Sequence, residues 1–73
     1  MRVIPRPAPF QARVLDESEE LKVKIHKLSD FVDTPAFREL PEAEQGLLGL
    51  QLCYMHLYDD ALERRIAAFA PQA

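Results

Sequence analysis

Apolar residues between Gln11 and Val32 recur at helical spacing. Val14, Ser18, Leu21, Ile25, Leu28 and Val32 step by 4, 3, 4, 3, 4, so one stripe of a helix carries all six, with Ser18 as its polar member. Asp33-Thr34-Pro35 then reads as a stop and a restart. Asp33 or Thr34 can cap a new helix, and Pro35 suits its first position. The segment PAFREL makes about one turn. Leu40 precedes Pro41 and is pushed out of the helical region, so the chain bends again before Pro41 opens a last helix. Glu42 and Glu44 in its first turn complement the positive end of the helix dipole. This helix runs to about Phe69 along a second stripe: Leu48, Leu52, Met55, Asp59, Leu62, Ile66 and Phe69. No stretch alternates as a strand would. The pattern predicts an all-α fold, an antiparallel helical hairpin with a short connecting helix over residues 10–70. Pro5, Pro7 and Pro9 keep residues 1–9 as an extended Pro-rich N-terminal arm.

The last helix carries more apolar residues than one hairpin can cover. At 100° per residue, Leu47, Tyr54, Tyr58 and Ala61 form a stripe beside the seam, and Leu50, Cys53 and Leu57 lie behind it. A helix apolar on most sides is buried on most sides. In a chain of 73 residues nothing remains to cover it, so the pattern predicts a compact homo-oligomer. Leu15 and Val23, which project away from the first seam, agree. Cys53, among apolar neighbours, is expected in the core. Gly46 and Gly49 each cost ~1 kcal/mol relative to Ala inside a helix. They mark either the close approach of another backbone or an exposed site, with equal weight.

Charge narrows the function classes. The chain has 12 Asp and Glu against 9 Lys and Arg, a net charge of -3, which argues against coating a DNA or RNA polymer. The single cysteine excludes an internal disulfide and suits a reducing compartment. No run of 18 apolar residues is present, so no membrane span is expected. The start MRVIPRPAPF is basic but lacks the apolar region of a signal peptide. Within this acidic chain Lys22, Lys24, His26 and Lys27 fall inside six residues. The helical wheel divides them. Lys24 and Lys27 share a flank with Arg13, Glu17 and Glu20, which Phe31 ends, whereas Lys22 and His26 lie on the other side near Leu15.

Such charges are ordinarily solvated or paired, as Glu20 and Lys24 could be at i,i+4. Alternatively, cations hold phosphates while aromatic faces stack bases. In an antiparallel hairpin Arg64 and Arg65 approach Phe10 and Arg13, so one end gathers arginines around a ring. Catalytic signals are thin. His26 and His56 lie on different helices without ligand spacing, and no Gly-rich phosphate loop, Ser/His/Asp set or Cys/His metal spacing occurs. No cofactor and no enzymatic activity are expected. Asp59, at a seam position, is expected to meet a polar group across the hairpin such as Ser18.

The order E-L-x-x-K-I-x-K-L-x-x-F at 20–31, F-x-x-L-x-x-x-E-Q at 37–45, Q-L-x-x-M-x-x-Y at 51–58 and L-x-x-R-I-x-x-F at 62–69 resembles the phage anti-CBASS sponges. Their helical hairpin is shared with sponges acting against the Thoeris defence. The resemblance implies a protein of the host bacterial cytoplasm that sequesters cyclic oligonucleotide messengers without cleaving them, and so starves the effector. It implies a homo-oligomer, typically a hexamer. Cyclic dinucleotides such as cGAMP would sit between protomers near the start of helix one, and cyclic trinucleotides where three protomers meet. For dinucleotides it implies Lys24 and the family's aromatic position near the helix start, which falls on Phe10, or on its neighbour Gln11 if the register shifts by one. Lys27 could join that site. It implies Arg65 and His26 for trinucleotides. Where the family carries a tyrosine this chain has Phe10, which keeps the stacking face without the hydroxyl. Three rival readings compete: a helical oligomer that binds another protein and no nucleotide, a small nucleic-acid-binding accessory, and an enzyme that cleaves the messenger.

Overall fold

The computed structural model describes residues 7–69. Most of the Pro-rich arm, residues 1–6, and residues 70–73 lie outside the described residues. Three helices follow in order: α1, Pro9–Val32; α2, Pro35–Arg38; and α3, Glu42–Phe69. Among the described residues there is no strand.

Helix α1 opens two residues before Gln11. Pro9 takes its first position, where a missing N–H costs nothing and a fixed φ helps. It therefore belongs to the helix and not to the extended arm. Half of a capping box holds this end: the Ala8 N–H donates to Gln11 Oε1 at 2.8 Å. Alanine has no side-chain acceptor to return the bond. At the connection Thr34 is the cap of α2. Its Oγ1 accepts from the Phe37 N–H at 3.3 Å and donates to the Phe31 carbonyl at 2.6 Å. Phe31 and Phe37 pack edge to face with centroids 5.9 Å apart. Pro41 stands just outside α3, its carbonyl accepting from the Gln45 N–H at 3.0 Å. The Gln45 side chain donates back to the carbonyls of Leu40, at 2.8 Å, and Arg38, at 3.2 Å, tying the bend to the helix.

The two long helices run antiparallel: Phe10 meets Phe69, Ser18 meets Glu63, and Lys22 meets Asp59. The molecule is a rod of 49 × 21 × 16 Å. Its core is Val14, Leu21, Ile25, Leu62 and Ile66, with Leu15, Leu52, Met55 and Phe69 packed at its edge. Both predicted seams thus face each other. Burial is uneven along them: in α3 only Leu62 and Ile66 are fully buried, while Leu48 and Leu52, toward the connection, are half-buried.

The surplus apolar face stands open. Leu47, Tyr54 and Leu57 are each more than 60% exposed, and Leu50, Tyr58 and Val23 are exposed as well. Cys53 is exposed, not in the core. Its apolar neighbours Leu50 and Leu57 lie on the same outward side of α3, so they bring it no cover within the chain. A Cβ built on Gly46 or Gly49 would meet nothing within 4 Å, so no other part of the chain approaches them among the described residues.

Candidate functional site

The lysines and the histidine of α1 have different surroundings. Lys22 crosses the hairpin, and its Nζ lies 2.6 Å from Asp59 Oδ1 and 2.6 Å from Glu63 Oε1. It also donates to the Ser18 hydroxyl at 2.9 Å, which satisfies a serine that is only 4% exposed. Asp59 therefore does meet a polar group across the hairpin, but it is Lys22, with Ser18 joined through the same ammonium. Desolvation works against the Lys22 charge. The hydrogen bonds and charges of Asp59 and Glu63 outweigh it and raise the pKa above the ordinary lysine value. Lys22 is thus an ion-pair residue of the hairpin.

Lys24 and Lys27 are exposed on the other flank, as are Arg13 on α1 and Arg65 on α3. Among the described residues none of these four has an ion pair, and the Glu20–Lys24 pairing is not made. His26 is exposed, with Nε2 3.3 Å from Asp30 Oδ2 one turn on. Arg64 is turned toward its own helix, with Nε 3.0 Å from Asp60 Oδ2. The ring at the open end is held by another ring: Phe10 and Phe69 stand edge to face with centroids 5.7 Å apart. Phe10 keeps about half of its surface exposed. Gln11 is engaged by the Ala8 N–H, so its side chain supports the start of α1.

One chain does not gather these residues into a pocket. Phe10 and Lys24 are fourteen positions apart on a single helix, roughly 21 Å along its axis at 1.5 Å per residue. Lys22 lies level with Asp59, which puts Arg65 level with about Asp16. His26 is then roughly 15 Å farther along the rod. Lys24 and Lys27 are one turn apart on the same flank of α1, whereas Phe10 and Gln11 stand together at its start. Any site that uses Phe10 with Lys24, or Arg65 with His26, has to draw them from different copies.

An open groove lies on α3. It is lined by Leu47, Leu50, Gln51, Tyr54, Met55 and Tyr58, with a volume of about 530 Å³. Its walls are almost entirely apolar, and it carries no cation. Among the described residues no group of three or more His, Cys, Asp or Glu could hold a metal ion. No described helix is long and apolar enough to cross a membrane. Sequence reasoning missed two polar side chains with structural roles, Gln11 and Gln45. Only the E/Q at the third helical position, a capping-box signal, could have pointed to the first.

Known proteins resemble most of this chain. It is 42% identical over 60 residues to an uncharacterised 7.5 kDa protein of the denB-rIIB intergenic region of Enterobacteria phage T4, covering 82% of this chain and 94% of the phage protein. No solved structure matches. The family model named Sequestin matches residues 8–68, from the start of α1 nearly to the end of α3. The chain belongs to the Sequestin family.

Proposed function

We propose that this is a phage sequestering protein that binds cyclic di- and trinucleotide messengers between protomers of a homo-oligomer, holds them without cleavage, and so blocks activation of a host defence effector. Family membership over residues 8–68 carries this reading, since the family's name denotes sequestration. The phage relative, alike over nearly its whole length, supports a phage setting; in this reading the protein acts in the host cytoplasm, where the messengers are made.

The chemistry is compatible with it. Arg13, Lys24, Lys27 and Arg65 are exposed cations without ion pairs among the described residues of a net-acidic chain. Guanidinium and ammonium groups are the complement of phosphodiesters, and the exposed half of the Phe10 ring offers a stacking surface. Their separation within one chain is an argument for assembly, and six copies is the number the family resemblance favours. Holding a messenger needs no general base and no metal. In this reading Lys24, Lys27 and Phe10 serve dinucleotides, with Gln11 fixing the helix start on which Phe10 stands. Arg65 and His26 serve trinucleotides.

The test is to purify the protein from cells that make a cyclic oligonucleotide messenger, release any ligand by heat, and weigh it by mass spectrometry. Intact messenger that reactivates a purified effector is the expected result. A linearised product would make the protein a phosphodiesterase. An oligomer that retains no messenger and leaves the effector active would instead be a protein-binding assembly, the reading favoured by the open apolar face.

A further inference from the structure

We infer that two copies of this chain pack α3 against α3 in antiparallel orientation, with Tyr54 beside the two-fold axis. This rests on the homo-oligomer in the proposed function and adds the face, the orientation and the register. The exposed face of α3 runs Ala43, Leu47, Leu50, Tyr54, Tyr58, Ala61, Arg65, with steps of 4, 3, 4, 4, 3, 4 that read alike in both directions. All seven residues are exposed in the single chain.

An antiparallel pairing centred on residue 54 sets large residues against small or unlike ones: Leu47 against Ala61 of the second copy, and Leu50 against Tyr58. An in-register parallel pairing sets Leu47 on Leu47 and leaves gaps at Ala43 and Ala61. Charge selects between them more strongly. Glu42 and Glu44 flank the face at its beginning, and Arg64 and Arg65 flank it at its end. Antiparallel packing brings Arg65 to Glu44 and Arg64 to Glu42 of the second copy, whereas parallel packing brings each to its like. Opposed helix dipoles favour the same orientation.

The area suffices. Leu47, Leu50, Tyr54, Leu57 and Tyr58 are 44–62% exposed. Aromatic side chains bury 150–250 Å² each, so the face offers roughly 600 Å² per copy. Two faces together hide roughly 1,200 Å², the lower end for specific interfaces. The side chains of the groove along Leu47–Tyr58 would then interleave with their counterparts.

The experiment uses the full chain in a Cys53→Ser background, with Leu47→Cys and Ala61→Cys made separately. The expected result is a disulfide when the two variants are mixed, and little when either is oxidised alone. Self-cross-linking of Leu47→Cys would overturn the orientation, and equal cross-linking in every mixture would overturn the register. A second arm needs no cysteine. Arg65→Glu and Glu44→Lys should each weaken ligand-free self-association about tenfold or more by analytical ultracentrifugation, and the double variant should restore it. An additive double variant would overturn the pairing. A wild-type monomer would overturn both this inference and the oligomeric reading. An oligomer that fails the cross-linking pattern would overturn this inference alone.

Discussion

Lys22 reaches from α1 to Asp59 on α3, closing a 2.6 Å ion pair between residues 37 positions apart in sequence. The same ammonium serves Glu63 and Ser18, so one side chain fixes the sliding register of the two helices at mid-length.

Replacing Lys22 by alanine should destabilise the hairpin by about 1 kcal/mol, the scale of partly exposed ion pairs, and leave Asp59 and Glu63 facing each other. The raised lysine pKa gives the effect a pH signature. A group whose pKa is raised on folding contributes stability that is fully present below its unfolded value and lost as pH rises through the folded one. Wild-type stability should therefore hold at neutral pH and fall above the ordinary lysine range, more steeply than that of Lys22→Ala. Urea melts at a series of pH values check this.

Leu62→Ala should be far more severe. Leu62 is 1% exposed and is one of five residues that form the core. Truncating a buried leucine costs about 2–5 kcal/mol. A domain of this length holds roughly 4–10 kcal/mol in all. The variant should lose most of its helical circular dichroism well below the wild-type melting temperature, whereas Leu57→Ala, on the open face, should leave a single chain's helicity nearly unchanged.

Gly46→Ala and Gly49→Ala should each stabilise the isolated chain by ~1 kcal/mol, because the helix gains propensity and the added Cβ meets open space. Thermal melts over a range of protein concentrations check this. A gain that vanishes at high concentration would place a second copy against these glycines.

Gln11→Glu should preserve the start of α1, since a carboxylate accepts the Ala8 N–H as the amide does. Gln11→Ala should lose about 0.5–1 kcal/mol and fray the first turn. Hydrogen exchange over residues 9–14 reads this directly. Loss of messenger binding in Gln11→Glu without fraying would show that the side chain also meets the ligand.

Lys24→Ala should weaken cyclic dinucleotide binding tenfold or more and spare trinucleotides, and Arg65→Ala, assayed at protein concentrations where it remains assembled, should do the reverse. Each removes charge-assisted hydrogen bonds of roughly 1.5–3 kcal/mol. Calorimetry with both ligand classes decides. Equal losses in both variants would exclude two separate sites.

What could be read from the sequence follows from the range of each interaction. The seams of α1 and α3 were legible because 3.6-residue periodicity is local, and Val14, Leu21, Ile25, Leu62 and Ile66 fall where it puts them. Thr34 was one of two candidate caps because its chemistry acts within three residues. Cys53 was misplaced because apolar neighbours in sequence say nothing about which side of a helix receives a partner. The choice of Asp59 and Glu63 by Lys22 depends on the register of two distant helices, which no local pattern encodes. The candidate ligand residues share that difficulty: Phe10 and Lys24 are assigned to one site by resemblance, yet the rigid rise of α1 holds them apart within a chain.

The rings of Phe10 and Phe69 touch beside the tightest packing in the rod, while the connection at Thr34–Pro41 lies at the far end over half-buried leucines. The molecule is in effect a clip whose jaws grip harder than its spring. It should therefore tolerate rearranged connectivity. A short link from the end of α3 to the start of α1, with the chain cut between Leu40 and Pro41, would give a circular permutant that keeps the same core. Such a permutant should melt close to the natural chain, whereas a cut near Val14 or Leu62 should not fold.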